Sequence, residues 1–91
     1  MIQNELTYDR LRLNLSYNPS TGVFVWRIKR RGTRIGKEVG NKSKFIRINH
    51  MPHSKGRLAY LYMTGRWPPS KVIHIDGDET NARYDNLKLA E

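Results

Sequence analysis

His74 lies among β-branched neighbours, Val72, Ile73 and Ile75, and is followed by Asp76-Gly77-Asp78. The apolar run reads as a short strand and Asp-Gly-Asp as a turn, so an imidazole is delivered to the mouth of an acidic loop. Histidine is the side chain that exchanges protons near neutral pH, and carboxylates are the oxygen donors that a hard divalent cation takes. Asp76 and Asp78 therefore have two readings. They are either substitute ligands for a weakly held Mg²⁺ or, favoured by their place in a turn, acceptors for loop amides and a helix cap. Thr80 stands where it would cap a helix carrying Arg83, Asn86 and Leu87, which makes Val72 to Leu87 a strand, a loop and a helix. His50 and His53 have no regular metal-ligand spacing with His74 and read as surface residues of a hairpin.

The elements that must position this stretch come from a chain of 91 residues, 37% of them apolar, enough for one small domain near the size at which a single core is just sufficient. There is no cysteine, so neither a disulfide nor a cysteine-zinc site can brace it, and a reducing cytoplasm is the natural setting. The longest apolar stretch, Leu58 to Met63, falls far short of the roughly 20 residues that span a bilayer, and nothing reads as a leader peptide. A soluble cytoplasmic protein without membrane contact is expected.

Seventeen Lys and Arg oppose eight Asp and Glu, for a net charge of +9, and the excess is concentrated. Between Arg27 and Lys71 there are 13 basic residues and one acidic residue, Glu38. Such a run predicts a surface that attracts a polyanion, with Arg27, Lys29, Arg30, Arg31, Arg34, Lys37, Lys42, Lys44 and Arg47 as the contacting residues.

In chain order, Leu6, Leu11, Leu13 and Leu15 with Tyr8 predict a short helix over Leu6 to Leu15, capped by Thr7 or Asn4, although their periodicity is imperfect. Asn18 to Gly22 is a turn, and Val23 to Ile28 alternates as a strand with Phe24, Trp26 and Ile28 on one face. Lys29 to Lys44 reads as a basic loop with a short strand around Ile35 to Val39. Its glycines allow close approach to a phosphate chain, and its arginines can hold phosphates bidentately. Phe45, Ile46 and Ile48 begin another strand, Asn49-His50 turns it, and Met51 to Lys55 returns. Arg57 to Thr64 has apolar residues at helical spacing, Gly65 supplies the left-handed terminus, and Pro68-Pro69 stops continuation. Trp67 reads as a packing anchor in preference to a base-stacking residue.

The segment VIHIDGDETNARYDNL resembles the core of phage-type HNH endonucleases, the homing-endonuclease-like branch of the ββα-metal nucleases. Two upstream blocks, GRLAYLYMTGRWPP from Gly56 and YNPSTGVFVWR from Tyr17, are similar to blocks of the same family in the same order, so the resemblance covers most of the chain. It implies an α+β fold: an N-terminal helix, an antiparallel hairpin or small sheet, and a C-terminal ββα-metal core. Residues 1–55 would form the first part of the single domain and 56–91 the second. It implies that His74 is the general base that deprotonates water, that Asn86 braces the histidine loop, and that one divalent cation, Mg²⁺ or Mn²⁺, serves any cleavage. Three positions depart from the pattern. Ile73 stands where the family carries its metal-binding aspartate, Gly56 where it carries a first histidine, and Ala82 where it carries an asparagine, while a further ligand is expected past Glu91.

Three functions are left open by these residues. The first, favoured by the lost aspartate, is a nucleic-acid-binding HNH-like protein of phage type, acting on double-stranded DNA, with cleavage lost or much reduced and no cofactor. The second is an active metal-dependent nicking endonuclease. The third is a phage effector that grips a host nucleic-acid or defence enzyme.

Overall fold

The computed structural model describes residues 6–28, 35–40, 42–48 and 51–90. The predicted contacts Lys29, Arg30, Arg31 and Arg34, the turn at Asn49-His50 and the possible cap Asn4 lie outside them. The fold is α+β, and the described residues form two α-helices and antiparallel sheets. Helix α1 spans Tyr8–Asn14, and the Thr7 hydroxyl caps it by accepting from Arg10 N at 3.2 Å. It is shorter than the predicted Leu6 to Leu15. Leu15 is extended and opens β1 (Leu15–Asn18), because its side chain is fully buried in the sheet, while Leu13 points outward at 66% exposure.

Strand β1 pairs with β2 (Val23–Trp26), which pairs with β3 (Glu38–Val39). The predicted alternation of β2 holds for Phe24 and Trp26, both buried, but the strand ends there and Ile28 is exposed. The β1–β2 turn is closed by Gly22 N donating to Asn18 O at 2.7 Å and by the Asn18 side chain accepting from Ser20 N. Gly22 has φ +76°, and a Cβ there would lie 2.5 Å from Arg83 N and 2.6 Å from the Ala82 carbonyl carbon. Only glycine fits both the turn and this backbone contact. The hairpin tip is thus seated on residues 82–84, and Tyr84 N donates to Pro19 O at 3.0 Å.

Strands β4 (Phe45–Ile48) and β5 (Met51–Ser54) form a second hairpin, which runs directly into α2 (Lys55–Thr64). Ser54 caps α2 through Arg57 N, and Gly65 ends it at φ 85°. Strands β6 (Val72–His74) and β7 (Leu87–Leu89) form the third antiparallel pair. One core joins these parts: Leu11, Leu15, Phe24, Ile46, Ile48, Leu58 and Leu61 are essentially inaccessible, and Ala82 packs with them. Trp67 is the predicted anchor, half-buried against this core with its indole N–H donating to Leu6 O at 3.0 Å. Among the described residues no helix is long and apolar enough to cross a membrane.

Candidate functional site

The segment around His74 corrects one expectation. Among the described residues no α-helix follows the loop: after β6 the chain makes turns, a 3₁₀ turn at Tyr84–Asn86, and then β7, whose Leu87 pairs with His74. Side-chain bonds explain the difference. Asp78 Oδ1 accepts from Thr80 N at 2.9 Å and from the Thr80 hydroxyl at 2.6 Å, so Thr80 closes a loop turn instead of capping a helix. Asn81 Oδ1 similarly accepts from Arg83 N. Short polar side chains that bond nearby amides compete with helix hydrogen bonding, and here the β6 edge offers the backbone a better partner.

Asn86 is the centre of the loop. It is buried at 6% exposure, its Oδ1 accepts from Asp76 N at 3.1 Å, and its Nδ2 donates to Asp76 Oδ1 and to Asn81 O, each at 3.0 Å. Asp76 Oδ1 also accepts from Asp78 N at 2.8 Å, and its Oδ2 accepts from Asn81 Nδ2 at 2.8 Å. The Asp78 amide, then the Asn81 and Asn86 amides, hold the Asp76 carboxyl at a pKa of about 2, because each donor favours its charged form. The Thr80 hydroxyl and amide lower Asp78 in the same way.

His74 Nδ1 lies 3.0 Å from Asn81 O. A carbonyl can only accept, so Nδ1 carries the hydrogen and the neutral ring keeps its lone pair on Nε2. That nitrogen faces Gly56: a Cβ at residue 56 would come within 3.0 Å of both His74 Nε2 and Val72 Cγ1. The glycine at this position therefore leaves room for the imidazole in its present pose. His74 opens on a cleft of about 640 Å³ whose rim includes Lys44, Ser54, Arg57, Lys71 and Glu79.

Of the predicted basic contacts among the described residues, only Lys44 lines this cleft. Arg47 is exposed on the outer face of the β4–β5 hairpin, and Lys37 and Lys42 are exposed in the segment before it. Arg27 is elsewhere: it donates to Arg12 O at 2.7 Å and lines a separate recess with Tyr8, Asp9, Arg12 and Leu13. Arg57 and Lys71 were visible in the sequence only as members of the basic run, and the fold brings both beside His74. Lys55 is a further residue that pattern reading misses. It is buried at 6% exposure in the first turn of α2, reaches Thr80 O at 3.5 Å, and burial lowers its pKa against the pull of Glu38 and Asp78. The loop is also held from the N-terminal sheet, where the buried Tyr17 hydroxyl donates to Ala82 O at 2.5 Å. Burial raises the pKa of that phenol, so it stays a donor.

Residues 54–90 match the family of HNH endonucleases. No curated protein and no solved structure matches the chain. The matched segment begins at the end of β5 and contains α2, His74, the loop and Asn86, so the family match coincides with the cleft. The family acts on nucleic acid, and its members generally use a divalent metal when they cleave. The residues present do not fit such an ion. Ile73, which lines the cleft beside His74, has no donor atom, the Asp76 carboxylate accepts from Asp78, Asn81 and Asn86, and Asp78 Oδ1 accepts from the Thr80 amide and hydroxyl. Among the described residues no group of three or more His, Cys, Asp or Glu side chains could hold a metal.

Proposed function

We propose that this protein binds nucleic acid, with duplex DNA as its substrate class, across the cleft at His74, and that it cleaves the bound strand very slowly or not at all. One observation carries this: His74, with its Nε2 lone pair available, shares a cleft with Lys44, Arg57 and Lys71, while Ile73 beside it offers no donor atom and the Asp76 carboxylate is bonded within the loop. Three cations around one recess suit a phosphodiester chain, whose charge is the main source of affinity for any basic protein. His74 keeps the position of a general base that accepts a proton from water at Nε2, and Asn86 positions it by holding Asn81 O, the acceptor for Nδ1. Among the described residues no group of acidic or imidazole side chains beside His74 could hold a cation that neutralises charge on the leaving oxygen.

The test pairs a supercoiled-plasmid assay in Mg²⁺, Mn²⁺, Zn²⁺ or EDTA with duplex binding at several salt concentrations. Salt-sensitive binding without metal-dependent nicking is expected, and Lys44→Gln with Arg57→Gln and Lys71→Gln should flatten the slope of log K against log salt by up to about 3. Nicking by the unaltered protein in Mg²⁺ or Mn²⁺ that His74→Ala abolishes would establish an active endonuclease instead. Failure to bind any nucleic acid at low salt would overturn the proposal.

A further inference from the structure

The β4–β5 hairpin presents an aromatic ring to solvent at the rim of the His74 cleft. Directly opposed residues share a face, so Phe45 and Arg47 lie on the outer face with their partners Ser54 and Pro52, while Ile46 and Ile48 point into the core at 1% exposure. Phe45 is 46% exposed. Its chain neighbour Lys44 and its cross-strand partner Ser54 both line the cleft. The Lys44 ammonium lies 5.6 Å from the ring centroid and 4.0 Å from Glu79 Oε1, in an ion pair whose two side chains are more than half exposed. An exposed pair of this kind contributes little to stability, so Lys44 is free to exchange Glu79 for a phosphate. Arg47 follows two residues on, on the same face, also exposed.

We infer that Phe45 is a stacking platform for an unpaired nucleobase, with Lys44 and Arg47 holding the phosphates on either side of it. The inference rests on the proposed nucleic-acid binding and adds the feature in the substrate that the surface selects. Charge complementarity identifies the occupant: a ring flanked by two cations at the edge of a basic cleft suits a base on a phosphate chain, repels a cationic partner, and disfavours a purely apolar one that would desolvate the two charges unpaired. A base stacked inside an intact duplex has no free face for the ring, whereas one at a gap or bulge does. The protein therefore prefers duplexes interrupted by an unpaired base, and the preference comes from Phe45 while the general affinity comes from the cations.

The test measures binding to a fluorescent duplex, intact or with a central single-nucleotide bulge, at one salt concentration. Wild type should bind the bulged duplex about tenfold more tightly, in the range that one base stacked on an aromatic ring contributes. Phe45→Ala and Phe45→Leu should lose that preference and keep the affinity for intact duplex; Phe45→Tyr should retain it. Lys44→Gln with Arg47→Gln should weaken both duplexes equally. Phe45→Trp should add emission that the bulged duplex quenches, measured against the wild-type tryptophan signal. Phe45 is 46% exposed and outside the buried core, and circular dichroism of each variant checks that it is folded. Equal wild-type affinity for the two duplexes, or a preference that survives Phe45→Ala or Phe45→Leu, would overturn the stacking site and leave the proposed binding intact. No binding to either duplex would remove both.

Discussion

Asn86→Ala is the substitution that most directly tests how the His74 loop is held. It deletes one acceptor and two donor contacts made by a side chain that is 6% exposed. The bond to the Asp76 carboxylate is charge-assisted, and the two others are ordinary neutral bonds. Water can reach Asp76, so that end is re-solvated, whereas the space left by the buried amide is not fully recovered. A loss of about 2 to 3 kcal/mol follows, since a neutral bond contributes on the order of 1 kcal/mol and a charged one somewhat more. For a domain of this size that lowers Tm by roughly 10 to 20 °C. Thermal unfolding followed by circular dichroism gives the stability, and the His74 imidazole resonances report whether Nδ1 keeps its bond to Asn81 O. Asn86→Asp, which keeps the acceptor but sets a second carboxylate against Asp76, should be at least as damaging and should improve as pH falls. A Tm within a degree or two of wild type for Asn86→Ala would refute the claim that this amide braces the loop.

Gly22→Ala should cost about 3 kcal/mol or more, because it combines a positive φ with a Cβ driven into the backbone of residues 82 and 83, and denaturant midpoints will show it. Tyr17→Phe should cost about 1 to 2 kcal/mol by leaving Ala82 O without its donor, and the same unfolding curves measure it. The Asp76 pKa is depressed from 3.8 to about 2, so its contribution is complete above the unfolded pKa and is lost as pH falls from about 4 towards 2. The Asp78 amide shift should titrate in that window, and Asp76→Asn should remove the part due to Asp76 while the Thr80 amide still reports Asp78. Lys55→Met should raise stability by about 1 kcal/mol, since the lysine is buried at a helix N-terminus with a single long bond to Thr80 O, and the thermal midpoint checks the sign.

Local chemistry made a good part of this protein legible in its sequence. The helix ending at Gly65, the Asn18–Gly22 turn, the β4–β5 hairpin and the strand that carries His74 each follow from short-range rules of spacing, capping and turn geometry. The basic excess was also plain, because net charge needs no fold. The fate of residues 84–89 was not: their helix-compatible pattern lost to pairing with β6, a partner more than ten residues away, and to the Asp78 and Asn81 turns. Leu15 likewise went to a strand because Trp26 pairs with it. Tertiary structure alone decided the cleft. It set Gly56 against His74 Nε2, seated the Gly22 turn and the Tyr17 hydroxyl on residue 82, and drew Lys44, Arg57 and Lys71 together while sending Arg27 to a different recess. A linear run of charge carries no information about direction; the alternation of β4 and the packing of α2 supply it, by turning some side chains to the cleft and others away.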